Sequence, residues 1–182
     1  MILLPTTIVK YTLVSGIHGV GKSTLLKKIA EVKSIRHYSI SDLIRQGGQK
    51  ILTNEKKTKN INQNQEIWKN ILKNLTINYK ELIFLDGHFV LLDDNGNLIS
   101  LPQKNFEDIQ IKSIIVVTAS VDIIQERLRV RDGTEWSIEL LSQFQTKEVK
   151  EAIKFAKKNQ VPIYIYESDD QFDKLLNFIN NF

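Results

Sequence analysis

Gly16-Ile17-His18-Gly19-Val20-Gly21-Lys22-Ser23 is the stretch from which the fold can be read. It matches the pattern G-x-x-x-x-G-K-[ST] and stands between two segments that give the pattern its meaning. Ahead of it, Ile8–Ser15 is rich in β-branched residues and ends at a glycine, which predicts a buried first strand. Behind it, Lys22–Lys33 carries Leu25, Leu26, Ile29 and Ala30 at helical spacing. Glycines between a strand and a helix let successive amide groups turn inward around a phosphate chain, where side chains would block the approach. The helix N-terminus adds partial positive charge. Gly16, Gly19, Val20, Gly21, Lys22, Ser23 and Thr24 are thus expected to bind a nucleotide. Lys22 would reach its β and γ phosphates, and the Ser23 hydroxyl would ligate Mg2+. The alternative, a chance glycine turn beside a surface lysine, does not explain why strand and helix fall in register. His18, at a variable position, reads as a rim residue.

Outward from the loop, strand and helix patterns alternate. Arg36–Ile40 is a short second strand, and Ser39 or Ser41 caps a helix that Gly47-Gly48 stops. Lys50–Asn60 is polar and basic without a periodic apolar face, which predicts a mobile stretch. A helix resumes over Ile61–Tyr79, and Trp68 shares its apolar spacing with Ile61, Ile71, Leu72 and Leu75, so it belongs to the core. Leu82–Leu85 suits a central strand, and Asp94-Asn95-Gly96-Asn97 between apolar flanks signals a hairpin over Phe89–Leu101. Ile111–Thr118 is the next strand, Val121–Val130 a helix, and Ser137 caps a long helix to Asn159. Val161–Tyr166 and Asp169–Asn180 are the last strand and helix. This alternation predicts an α/β fold: a three-layer arrangement with a five-stranded parallel sheet and helices on both faces.

The 182 residues fit one domain, with 42% hydrophobic and 25% charged residues. The absence of cysteine excludes disulfides, a thiol nucleophile, iron–sulfur clusters and Cys-based zinc sites. The three histidines, His18, His37 and His88, show no metal-ligand spacing. A net charge of +4 suits anionic small molecules and is too weak to argue for nucleic acid. No run approaches the roughly 18 apolar residues of a membrane span. Pro5, Thr6, Thr7 and Lys10 interrupt the apolar start too early for a signal peptide, so a cytoplasmic protein is expected.

With Gly19 included, the loop reads G-x-x-G-x-G-K-S-T, and here the chain resembles the adenylate-kinase group of nucleoside-monophosphate kinases within the P-loop fold, with shikimate-type small-molecule kinases close by. Ser41-Asp42-Leu43-Ile44-Arg45 falls where that group carries T-G-D-x-L-R against the acceptor nucleotide, with Ile40 and Ser41 in place of Thr and Gly. Asp86-Gly87-His88 ends the third strand, where the group has D-G-[FY]-P-R and archaeal-type members have D-T-H. The resemblance makes Asp86 the acid that holds Mg2+ through water; the plainer reading is a strand-end turn residue. In Glu126-Arg127-Leu128-Arg129-Val130-Arg131-Asp132 it makes Arg127 and Arg131 lid-boundary cations that neutralise the transferring phosphoryl group. These two lie four apart on one helix face and Arg129 points elsewhere; a solvated basic helix end is the alternative. The lid is then short, about 127–137, and the acceptor-binding insertion spans about 41–79 of a single domain, 1–182. A short lid, the hairpin and Arg131-Asp132-Gly133 look more like a bacterial ATP-binding branch of the group than like housekeeping adenylate kinase.

The resemblance implies an ATP- and Mg2+-dependent kinase acting on a small anionic acceptor, with a nucleoside monophosphate the best single guess. Asp42 and Arg45 are the acceptor-side candidates, and Asn62 and Gln65 could add amide groups. Two alternatives stay open. One is an ATPase coupled to a protein or nucleic acid, with His88 positioning water. The other is a shikimate-type kinase, in which Asp42 acts as base toward a hydroxyl. A GTP switch is disfavoured because Thr118-Ala119-Ser120-Val121 stands where N-K-x-D would be needed.

Overall fold

The computed structural model describes residues 9–47, 61–74, 81–93, 95–167 and 172–182. The Lys50–Asn60 stretch lies outside them, as do the Asn62 and Gln65 side chains. β1 (Lys10–Ser15) runs into the glycine loop, followed by α1 (Lys22–Ala30), β2 (Ile35–Ser39), α2 (Ile40–Gln46), α3 (Ile61–Lys73) and β3 (Leu82–Asp86). A hairpin of β4 (Val90–Leu92) and β5 (Leu98–Ser100) and a short 3-10 turn at Gln103–Phe106 precede β6 (Gln110–Thr118). The chain continues as α4 (Val121–Asp132), α5 (Ile138–Asn159), β7 (Ile163–Glu167) and α6 (Phe172–Asn180).

The main sheet has five strands in the order β2-β3-β1-β6-β7, and every pairing is parallel. The expected α/β class therefore stands. From β1 the chain moves first toward β2, then back across the sheet to β6 and β7. Right-handed crossovers in opposite directions must place their helices on opposite faces. α1 and α6 share one face, where Lys28 sits 4.3 Å over the Phe172 ring. On the other, Trp68 of α3, Phe89, Phe106 and Phe155 of α5 form a ring cluster with centroids 5.5–6.2 Å apart. β1, buried from Tyr11 to Ser15, lies between them. Its polar Thr12 is satisfied by Ser113 at 2.8 Å, so the central strand carries a hydroxyl pair at little cost.

The termini of these elements follow local chemistry. Ser39 caps α2 by accepting the Asp42 amide at 3.3 Å, and Ser137 caps α5 through the Leu140 amide at 3.1 Å. α4 runs two residues past Val130 and stops where Gly133 takes φ +66°. α1 ends at Ala30, short of Lys33, as the Val32 and Lys33 amides both turn back onto the Ile29 carbonyl. The last strand starts at Ile163, not Val161, since Pro162 has no amide to give to a ladder. In the hairpin turn the organising residue is Asp93, whose carboxylate accepts the Asn95 and Asn97 amides at 2.9 and 2.8 Å. Its bonds with Asn97 hold the Asp93 carboxyl below the usual range. Among the described residues no helix is long and apolar enough to cross a membrane.

Trp68 is 0% exposed, which makes it core, as its helical spacing predicts. Trp68→Ala should cost about 3–5 kcal/mol in urea denaturation, the usual cost of emptying so large a site. A loss below about 1 kcal/mol would show that the ring does not support the α3 face.

Candidate functional site

The loop conformation follows from what its glycines must avoid. Gly16 has φ +146°, and a Cβ there would stand 2.6 Å from the Val117 carbonyl oxygen of β6. Gly19 has φ +79°, and a Cβ there would stand 2.8 Å from Cγ of Leu128 in α4. The loop is thus held between the central sheet and the helix that carries the arginines. Its outer carbonyls are used by cations: Arg127 Nη1 donates to the Val20 oxygen at 2.9 Å, and Lys22 Nζ to the Gly16 oxygen at 2.7 Å. A trans peptide sends its N–H opposite its C=O, so the Gly21 amide points away from Arg127.

α1 begins differently from α2 and α5. Its N-cap is Gly21, without a side-chain cap and without an acidic residue in the first turn. A helix start left in this state keeps its orphan donors and its dipole for an external anion. Lys22 adds a full charge, and its ammonium also lies 3.6 Å from Asp86 Oδ1. The lysine is only 8% exposed, so it is a lining group of the site and not the surface lysine of the alternative reading.

A cavity of about 760 Å³ joins these groups to others from distant parts of the chain. Lys22, Lys28, Arg45, Arg127 and Arg131 line it, against the acids Asp42 and Asp86. That imbalance favours a polyanion. Gly16 is not among the lining residues, whereas Gly19, Val20, Gly21, Ser23 and Thr24 are. Arg127 and Arg131 both reach the cavity from α4, but they differ: Arg131 is held bidentately by Asp132 at 2.8 Å, while Arg127 is bonded to the loop itself. Arg129 does not line the cavity and pairs with Glu126 at 2.7 Å. Asp42 and Arg45 also line it and are paired with each other. His18 packs against His88 with ring centroids 4.6 Å apart, bringing the loop against the turn after Asp86.

Ser23 and Asp86 line the same cavity and offer a hydroxyl and a carboxylate. Such oxygen donors fit Mg2+, which binds through one or two protein groups and keeps waters and phosphate oxygens as its other ligands. Among the described residues no group of three or more His, Asp or Glu side chains could hold a metal alone.

Sequence reading misses Glu148 of α5. It is 1% exposed and accepts bonds from Ser15 and from the Phe89 and Val90 amides. Burial holds its carboxyl above the usual range, and the Ser15 hydroxyl, the Phe89 and Val90 amides and Lys22 oppose that rise only in part. A signal for it exists: Leu141, Phe144, Ala152 and Phe155 form the buried stripe of α5, and Glu148 sits on that stripe.

The sequence profile of a family described as AAA domain matches residues 15–140, more than half of the chain. The chain belongs to the AAA domain family. Residues 15–140 of this AAA domain run from the end of β1, through the loop, to the start of α5, so they include the loop, Asp86 and the α4 arginines. No curated protein matches the chain. Among solved structures it is similar to a gluconokinase from Sinorhizobium meliloti 1021, at 16% identity and a TM-score of 0.50. The match covers 92% of this chain and 87% of that one. At this identity the likeness shows the fold alone: a five-stranded parallel α/β sheet with a glycine loop after its first strand.

The Gly19–Leu128 contact gives a direct test of how the loop is seated. Gly19→Ala should destabilise the domain by about 1–3 kcal/mol, since neither the left-handed φ nor the buried Leu128 accommodates a methyl group. Leu128→Ala should cost less in the Gly19→Ala background than alone, because it removes the clash. Strict additivity in denaturation experiments would disconnect the loop from α4.

Proposed function

We propose that the chain is an ATP- and Mg2+-dependent phosphotransferase of adenylate-kinase-like type, moving the γ-phosphoryl group of ATP to a small anionic acceptor. One observation carries the reading: a single cavity is lined both by the phosphate loop with Asp86 and by Asp42 and Arg45. ATP hydrolysis needs only the first set. A volume near 760 Å³ lies within the usual range of small-ligand sites, about 300–1,000 Å³.

In this reading Gly19–Thr24 and the start of α1 hold the phosphate chain of ATP, and Gly16 seats the loop behind them. Lys22 neutralises charge on the β and γ oxygens. Ser23, directly, and Asp86, through water, hold Mg2+, which supplies charge neutralisation across the phosphates when bound. Arg127 keeps the loop closed toward α4, and Arg131 can exchange Asp132 for the transferring group. The bond from the γ phosphorus to its bridging oxygen breaks as one forms to the acceptor oxygen. The short lid, about 127–137, and the acceptor segment, about 41–79, belong to one domain of residues 1–182. A nucleoside monophosphate is the acceptor we favour, because Arg45 can grip a phosphate bidentately. Its pairing with Asp42 does not prevent this, as both side chains are substantially exposed and such a pair contributes little. The similar solved structure is named a gluconokinase, so hydroxyl acceptors belong in the same screen.

A screen of nucleoside monophosphates, small hydroxy acids and sugars with ATP and Mg2+ tests the reading. ADP release that depends on one acceptor supports it, while acceptor-independent release raised by a macromolecule points to the ATPase alternative. Lys22→Met should lower kcat by roughly 10²-fold or more, and a rate within about threefold of the native one would remove the lysine from the chemistry.

Asp86→Asn should shift the Mg2+ titration and lower kcat more than it weakens nucleotide binding; an unchanged midpoint would make Asp86 a turn residue. Arg45→Ala should lower kcat/KM for the acceptor by about 10- to 100-fold with little change in the ATP KM. An equal effect on both substrates, or an uncharged best acceptor, would overturn the anionic-acceptor assignment.

A further inference from the structure

Ser15 is the residue immediately before the phosphate loop, and Phe89 and Val90 follow the Asp86-Gly87-His88 turn. Both segments converge on one side chain. Glu148 Oε1 accepts the Ser15 hydroxyl at 2.5 Å, and Oε2 accepts the Val90 amide at 2.7 Å. The Phe89 amide lies 3.0 Å from both oxygens. The three contacts link positions 133, 59 and 58 residues away in sequence, and all are buried.

Two further contacts span the same two segments. The Gly87 amide donates to the Val14 carbonyl at 3.0 Å, and His18 packs on His88. The parallel ladder already fixes Val14 beside Asp86. Beyond the Gly87–Val14 bond the ladder stops, and the loop and the turn are tied by side chains. Glu148 is placed where that tie is needed.

We infer that Glu148 is a positioning residue that couples the phosphate loop to the turn after Asp86, fixing the donor phosphates relative to the wall that faces the acceptor. The inference rests on the phosphotransfer reading for its kinetic consequence and on hydrogen bonding alone for its structural one. Loop contacts to ATP are local and survive a small displacement of the turn. In-line transfer does not, since a misplacement of about 1 Å can cost roughly 10²-fold in rate.

The chemistry of the contacts selects the variants. The Phe89 and Val90 amides can only donate, whereas the Ser15 hydroxyl can donate or accept. Glu148→Gln can therefore keep the tie, with its carbonyl oxygen facing the amides and its NH2 group donating to Ser15. Glu148→Ala removes it, and Ser15→Ala cuts its β1 end while leaving both amides satisfied. Each variant is assayed below its unfolding transition for kcat, ATP KM and Tm.

Glu148→Ala and Ser15→Ala should lose about 10- to 100-fold in kcat with the ATP KM within about threefold, while Glu148→Gln stays within about threefold of the native kcat. Native kcat in Ser15→Ala, or a Glu148→Gln enzyme that folds but is as slow as Glu148→Ala, would overturn the coupling. If Glu148→Ala does not fold, Ser15→Ala decides.

Hydrogen exchange separates this inference from the phosphotransfer reading. In the native chain, ATP should slow exchange in both the 16–23 and the 87–90 segments. In Ser15→Ala, protection should remain in the first segment and be lost in the second. Protection of both segments in Ser15→Ala would overturn the coupling even if no acceptor is ever turned over. A native chain that shows the coupled protection but transfers no phosphoryl group would leave the coupling standing and remove the phosphotransfer reading.

Discussion

A loop built largely of glycines cannot fill the space around itself with its own side chains, and the surrounding structure has to do so. Here Gly16 lies under the Val117 carbonyl and Gly19 under Leu128, so β6 and α4 supply the walls that the loop lacks. The same requirement explains the bare start of α1. A Ser, Thr, Asp or Asn cap is worth about 0.5–2 kcal/mol to a helix, and α2 and α5 both take it. α1 has no such side-chain cap at Gly21, which leaves its first donors open to an anion.

The cations of the site differ in their freedom to move. Lys22 is buried and held by the Gly16 carbonyl and Asp86, so it is oriented before any ligand arrives. Arg127 is bonded to the loop carbonyls through one nitrogen, Nη1, which donates to Val20 at 2.9 Å and to Gly19 at 3.4 Å. Arg131 and Arg45 are exposed, as Arg127 is, but they are paired with neighbouring carboxylates, Arg131 with the largely buried Asp132 and Arg45 with the exposed Asp42. The Arg45–Asp42 pair is exposed at both ends and therefore weak, so Arg45 can change partner at little cost. A buried, held lysine thus sits at the loop and a readily exchanged arginine on the Asp42 side of the cavity. That division suits a site in which one anionic substrate is held while another group comes and goes.

Much of this was legible in the sequence because it is local. The loop pattern, the strand before it and the helix after it occupy consecutive residues, and their periodicities change where the structure changes. The Arg127–Arg131 spacing likewise placed both side chains on the cavity side of α4, with Arg129 turned to Glu126. The hairpin signal was also sound, although the turn is organised by Asp93, one residue before the tetrapeptide that marks it. The element ends that shifted were set by single amides: one that Pro162 lacks, and those at Val32 and Lys33 that fold back on Ile29.

What was not legible depends on contacts between distant segments. The burial of Lys22 comes from the sheet and from Asp86, not from its neighbours in sequence. Glu148 looks like one of several charged residues in a long helix, and only its position on the apolar stripe marks it. An unpaired carboxylate in that stripe would be costly, because burial disfavours its charged form. The cost is offset in part by donors from β1 and from Phe89 and Val90 at the start of β4, none of which periodicity can assign to α5. A buried acid that is tolerated only when two separate segments arrive together also selects for that arrangement. Misplacing either segment would strand the carboxyl group, so the residue that sequence patterns hide most completely is one that makes the loop and the turn mutually dependent.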